Sequence, residues 1–442
     1  MKAFTGFAAA ALVLALFGGA PARAQGLPAA APESVGLSKE RLDRFKTLIE
    51  QRIGEDKLAG AVVLVARRGK LAYFETFGLM DKATARPMAK DAIFRLYSMT
   101  KPIIAVAAME LYEEGKFDLR DPVSAYLPEF AAMKVAVTKT DPATGKPRTS
   151  LVPAARPITI LDLLRHTSGL GYYATKDDKG KPFYEPYGIN RPDLDLAEWV
   201  KALAKAPLIH QPGTTFEYSY SIDVVGRLIE IWSGQPLEQF LAARVFTPLH
   251  MPDTGFFVPP EKHDRLATLY SPDPIGAVDD EGIRALGGPI VPVVGGQAIA
   301  FDQNPRHPSG GGGLVSTTMD YGRFLQMLAN GGELDGVRLL SPKTVDLIGT
   351  DVLGDLAQGG GAPWTGDGFG LTMEISRGPG PTGTLSTRGS YDWGGLASTQ
   401  MFVDPQEKLV GVLMTQVLPS SPYWGRMLRQ LATQAIVEEE PK

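Results

Sequence analysis

The chain has 442 residues, 44% of them hydrophobic, which is enough to bury a large core and long enough for two or three domains. Its formal net charge is -4 and its longest block of like charge is Glu438-Glu439-Glu440. That argues against a nucleic-acid partner, because such binding depends on clustered Lys and Arg. The absence of cysteine excludes disulfides and a lipoprotein anchor. In chain order, Met1 to Ala24 reads as a secretory signal peptide. Lys2 supplies the positive start, Phe4 to Phe17 the apolar run, and Ala22-Arg23-Ala24 the small residues that place cleavage before Gln25. A periplasmic or secreted location is therefore expected. No later segment is long and apolar enough to span a membrane, so no stable membrane insertion is expected after cleavage.

After a Pro/Ala-rich linker, Ser38 is placed as an N-cap, and Leu42, Phe45, Ile49 and Ile53 recur at helical spacing. Ala61 to Ala66 and Leu71 to Phe77 read as the arms of a hairpin turning at Arg68-Gly69-Lys70. Ser98 to Glu114 is the next strong helix, closed by Gly115. Helical segments then dominate: Ile160 to Arg165, Leu194 to Leu203, Ile222 to Trp232 and Leu237 to Val245, separated by long loops such as Pro272 to Gly296. From Gly310 strands return at Phe369 to Ile375, Gly383 to Thr387, Leu396 to Val403 and Leu409 to Thr415, and a last helix lies near Arg426 to Glu438.

This order predicts an α/β fold. One antiparallel sheet is built from both ends of the chain and flanked by the N- and C-terminal helices, and a mostly helical second domain lies beside it. The expected divisions are a signal peptide at 1–24, a first α/β part at 25–117, a helical domain at 118–309 and a second α/β part at 310–442. A cleft between such domains is a common place for a small-molecule site. Nothing in the sequence fixes the oligomeric state.

The chain holds a single Ser-x-x-Lys, at Ser98-Met99-Thr100-Lys101, where a helix starts and Pro102 is tolerated in its first turn. Positions three apart share a helix face, so the Lys101 amine can reach the Ser98 hydroxyl. A serine needs a base to become a nucleophile, and burial and the helix N-terminus both push a lysine pKa down. The same pattern also fits a capping serine followed by a solvated lysine, and these residues alone leave both readings open. No Gly-x-Ser-x-Gly occurs, and the five histidines (His166, His210, His250, His263, His307) lack metal-ligand spacing. The sequence therefore calls for neither a metal nor any other cofactor.

With these residues in hand, the chain resembles the serine β-lactamase and penicillin-binding superfamily, and within it family VIII carboxylesterases. The likeness rests on the hairpin Gly60 to Ala66 with Arg68-Gly69-Lys70, on Phe94 to Lys101, on Ile158 to Leu170 with its Arg165-His166-Thr167-Ser168-Gly169-Leu170, and on Gly310 to Ser316. The resemblance implies a fold of the serine β-lactamase type, with Ser98 as nucleophile and Lys101 as its partner. It makes Tyr218, in Pro212-Gly213-Thr214-Thr215-Phe216-Glu217-Tyr218-Ser219-Tyr220, the third catalytic residue. A neighbouring ammonium is expected to lower the Tyr218 pKa and let it serve as base, in a coupled unit with Lys101. A tyrosine simply packed beside Phe216 is the plainer reading of the same loop.

The Lys-Thr-Gly of β-lactamases does not occur, and Asp392-Trp393-Gly394-Gly395-Leu396 stands in its place. The resemblance makes Trp393, Gly394, Gly395 and Leu396 substrate-binding residues, with the Leu396 and Ser98 amides forming an oxyanion hole. A core tryptophan beside a glycine bulge is the alternative. Tyr220 replaces the asparagine that β-lactamases set against the substrate amide, and Trp393 replaces a cation. Asp223 is expected to cap the following helix or else to orient Lys101. Together these imply a serine carboxylesterase acting on short-chain, uncharged small-molecule esters through an acyl-enzyme. A β-lactamase or D-Ala-D-Ala carboxypeptidase, an acyltransferase, or a non-catalytic ligand sensor are the rivals.

Overall fold

The fold is taken from a computed structural model that describes residues 26–177, 179–273, 289–293, 301, 303–354, 356 and 367–438. The signal segment Met1 to Ala24 with its cut before Gln25, and most of the loop Pro272 to Gly296, lie outside the described residues. The largest sheet has eight antiparallel strands drawn from both ends of the chain. They are β1 (Gly60–Arg67), β2 (Lys70–Asp81), β3 (Arg86–Pro87), β4 (Gly368–Phe369), β5 (Glu374–Ile375), β6 (Tyr391–Gly394), β7 (Gln400–Asp404) and β8 (Leu409–Met414), in the spatial order β4-β5-β6-β7-β8-β1-β2-β3. The two halves meet where β1 pairs with β8, Val62 opposite Met414 and Ala66 opposite Val410.

Strand β1 is buried along its whole length, so its side chains serve two cores in alternation. Val62, Leu64 and Ala66 enter one core, and Ala61, Val63 and Val65 enter the other. Burying each valine or leucine contributes about 1.5 to 3 kcal/mol over leaving it exposed. The second core is closed by the terminal helices, through Phe45 and Ile49 of Arg44–Gly54 and Trp424, Met427 and Leu428 of Pro422–Thr433. Ser38 caps the short helix Lys39–Leu42 by accepting from the Arg41 amide. The first core continues through the helices Thr318–Ala329 and Thr100–Glu113 into Ser221–Ser233 and the segments around it. The antiparallel sheet with its flanking terminal helices is thus the one the sequence predicts.

Several local expectations are corrected. Ser98 lies in a 3-10 turn, Tyr97–Met99, and the α-helix begins at Thr100; it ends before Gly115, whose φ of 71° is a left-handed value that a glycine accepts. Phe369 to Ile375 is a tight hairpin of two short strands, turning through Thr372 at φ 72°. Gly383 to Thr387 is not a strand. It is a bent segment that follows the short helix Pro379–Thr382: Gly383 ends that helix at φ 65°, and the Ser386 amide turns back onto the Thr384 carbonyl at 2.9 Å instead of joining a ladder. The strand expected from Leu396 starts only at Gln400, since Gly395 to Ser398 closes a turn with a 3.0 Å backbone bond. Leu237 to Val245 divides into an α-helix, Leu237–Leu241, and a wider turn, Ala242–Phe246. The middle of the chain also carries a hairpin the sequence reading did not expect, Lys134–Thr140 with Pro147–Pro153.

Candidate active site

The Ser98 turn is fixed by its neighbours. Ile93–Arg95 pairs with Val315–Thr317, and the Leu96 amide donates to the Leu314 carbonyl at 2.9 Å. The Thr100 hydroxyl accepts from the Leu314 amide at 3.1 Å, and the Tyr321 hydroxyl donates to the Met99 carbonyl at 2.8 Å. Tyr97 is held at φ 46°, a sparsely populated conformation for a non-glycine residue. Surrounding packing against Leu269, Ala397 and Leu418 keeps it there.

Lys101 is completely buried. Its Nζ lies 3.1 Å from the Ser98 Oγ and donates to the Gly311 carbonyl at 2.6 Å. The amine also lies over the Tyr218 ring, 4.5 Å from its centre, and 5.5 Å from the centre of Tyr172. Burial lowers the lysine pKa to about 7, against the opposing attraction of the Asp223 carboxylate. The lysine is therefore buried against Ser98 rather than solvated.

Tyr218 sits on a loop pinned from both sides by His166. The Glu217 amide donates to the His166 carbonyl at 2.8 Å, and the Ser219 amide donates to the His166 Nδ1 at 3.2 Å. Further back, Gly213 donates its amide to the Thr167 carbonyl at 2.7 Å and lies directly over Arg156, where a Cβ would fall 1.8 Å from Nη2. Arg156 is in turn gripped by the buried Asp162 at 2.5 and 3.0 Å. Burial raises the Tyr218 pKa above the ordinary phenol value, with the Ser98 and Trp393 side chains acting the other way. This reverses the expectation that a nearby ammonium would lower it. Desolvation of the phenolate is the largest influence, so Tyr218 is held as a neutral phenol beside the buried lysine.

Trp393 is buried, with its ring 5.6 Å from that of Tyr218 and 5.5 Å from that of Phe369. Gly395, just past the end of β6, presses against the turn that carries Ser98: a Cβ there would lie 2.2 Å from the Leu96 carbonyl oxygen. A Cβ on Gly394 would meet the Gln400 amide at 2.7 Å. Leu396 packs beside Tyr97, and both Ser98 and Leu396 remain partly exposed. The structure thus brings all the expected site residues together: Ser98, Lys101, Tyr218, Trp393, Gly394, Gly395 and Leu396. Tyr220 is turned instead into an aromatic cluster with Tyr172, Tyr184 and Trp199. Asp223 does not cap its helix; its carboxylate accepts from the Ser309 hydroxyl at 2.5 Å and from the Gly311 amide at 3.1 Å.

Sequence reasoning did not anticipate the roles of Tyr172, His166 or the Gly311 carbonyl. The glycine run Gly310 to Gly313 and the segment around His166 were noticed as family-like, but no residue pattern shows which backbone carbonyl will face an amine. Among the described residues there is no cluster of His, Cys, Asp or Glu that would hold a metal ion, and no helix long and apolar enough to cross a membrane.

The model of the Beta-lactamase family matches residues 45–435. The chain belongs to that family. It is 34% identical to Esterase EstB of Burkholderia gladioli over 386 residues, covering 84% of this chain and 89% of that one. It is 31% identical to a lovastatin esterase of Penicillium rubens, covering 84% and 92%. Among solved structures it superposes on EstCE1, described as a hydrolase with promiscuous acyltransferase activity, with a TM-score of 0.72 at 28% identity, covering 90% and 99%. These likenesses agree with the family VIII resemblance within the penicillin-recognising superfamily, and the chain is a serine hydrolase.

Proposed function

We propose that this protein is a carboxylesterase that hydrolyses short-chain, uncharged esters through an acyl-enzyme on Ser98. The observation that carries the reading is the contact of a buried lysine, poised near neutrality, with the Ser98 hydroxyl, beside a neutral tyrosine. In the proposed cycle the neutral Lys101 amine takes the Ser98 proton as Oγ bonds to the ester carbonyl carbon. The Ser98 and Leu396 amides hold the oxyanion, and collapse breaks the bond to the alcohol oxygen. The Tyr218 phenol gives its proton to that oxygen and regains one from the Lys101 ammonium. Water then attacks the acyl-enzyme by the same route and releases the acid.

Preference for neutral esters is supported by the indole of Trp393, buried where the resemblance places a cation in β-lactamases, and by the esterase names of two relatives. One preparation run against aryl acetates and butyrates, a D-Ala-D-Ala peptide and a cephalosporin tests it. A cephalosporin turned over as fast as every ester would replace this reading with a β-lactamase. Acyl transfer is a second reading, favoured by the likeness to EstCE1; an added alcohol would then divert product from free acid to ester. We also propose that the protein acts outside the cytoplasm after cleavage before Gln25, which an exported protein retaining Met1 by mass spectrometry would refute.

A further inference from the structure

Asp223 is almost fully buried, in the first turn of Ser221–Ser233, yet it makes no bond to the end of its own helix. Its carboxylate reaches across to the loop before Val315–Thr317 and accepts from the Ser309 hydroxyl and the Gly311 amide. The fit requires glycine, because a Cβ on Gly311 would lie 2.4 Å from the Asp223 Oδ2. The carbonyl of that same Gly311 accepts from Lys101, whose Nζ touches Ser98. A single residue, Gly311, therefore joins the anchor of the carboxylate, its N–H, to the anchor of the amine, its C=O.

We propose, building on the Ser98–Lys101 reading above, that Asp223 is a positioning residue: through the Ser309–Gly311 loop it seats the carbonyl that holds the Lys101 amine, and it is the fixed anion which that amine faces. The other titratable groups facing Lys101 are Tyr218 on its loop and His166 and Tyr172 from the segment opposite. Burial keeps all three neutral. The carboxylate favours the ammonium form, so it sets the lower edge of the pH range in which Lys101 is a base.

The test is the pH dependence of kcat/KM for an uncharged aryl ester. Asp223→Asn keeps an oxygen that can accept from Ser309 and Gly311 but removes the charge. Its acid limb should move to lower pH by about one unit, at a plateau within about tenfold of the wild type. Ser309→Ala leaves the charge but removes a donor from it, and its limb should move by about half a unit to higher pH. Should Asp223→Asn fail to fold, the Ser309→Ala limb decides the question alone. A uniform loss of rate at the wild-type midpoint is what a purely structural carboxylate would give, and it overturns the proposal. Ser98→Ala, run alongside, separates the two levels. Activity retained there removes the underlying reading, whereas an inactive Ser98→Ala with unshifted limbs strikes only the role of Asp223.

Discussion

The Nζ of Lys101 lies 3.1 Å from the Oγ of Ser98 in a position closed to solvent. A charged ammonium at that depth is costly unless paired, and here only carbonyl, hydroxyl and aromatic groups touch it, with the Asp223 carboxylate on the far side of Gly311. Burial accordingly brings the lysine to about 7. The active form is the neutral amine, so kcat/KM should be low in acid and rise through about pH 7 to a plateau. A stopped rise near pH 4 to 5 in a pH series with an uncharged ester would assign the limb to a carboxylate instead.

Ser98→Ala should lower kcat by about 10^4-fold or more, because the proposed acyl-enzyme forms on its oxygen. Tyr218→Phe should cost about 10^2 to 10^4 in kcat while KM changes little, since the phenol acts on the leaving group. Thermal unfolding of both variants should stay close to wild type. Folded Ser98→Ala with more than about a hundredth of the activity would remove the mechanism.

Gly395→Ala should be more damaging than its size suggests. The added methyl would fall 2.2 Å from the Leu96 carbonyl and push the Leu396 amide away from Ser98. Loss of one oxyanion donor predicts about 10^2 to 10^3 in kcat. Comparable rates in Gly395→Ala and wild type, measured with an aryl acetate, would show that this edge of β6 does not serve the oxyanion.

Substrate charge supplies the next test. A charge-assisted hydrogen bond to a carboxylate is worth about 1.5 to 3 kcal/mol and a neutral one to an amide about 0.5 to 1.5 kcal/mol, together about two powers of ten. The place of the first partner holds Trp393, and Tyr220 is turned into the Tyr172–Tyr184–Trp199 cluster. Anionic β-lactams should therefore trail aryl acetates and butyrates in kcat/KM by at least about a hundredfold. Trp393→Lys should narrow that gap chiefly by slowing the ester.

How far the sequence spoke depended on whether a local pattern carried the structure. Alternating and continuous apolar runs made β1, β2 and β8 legible, and the Ser98–Lys101 spacing pointed to two side chains that the fold does bring into contact. The Lys134–Thr140 hairpin escaped because its strands are largely exposed, so no apolar alternation marks them. The tyrosine pKa escaped because it depends on enclosure of the Tyr218 hydroxyl by Trp393 on one side and by Tyr172 and His166 on the other, from two parts of the chain distant from it and from each other. Asp223 was seen as a residue with two possible duties. Only the fold, by bringing Ser309 and Gly311 against it, selects the one that bears on Lys101.

The central claim is an acyl-enzyme on Ser98, and trapping it is the most direct test. Protein mixed with excess aryl butyrate is quenched in acid within the first turnovers and digested for peptide mass spectrometry. The account predicts one butyryl group on the peptide containing Ser98, absent from Ser98→Ala and accumulating further in Tyr218→Phe if deacylation slows more than acylation. A butyryl group on any other residue, or rapid ester turnover with no adduct at Ser98 under any quench time, would contradict it.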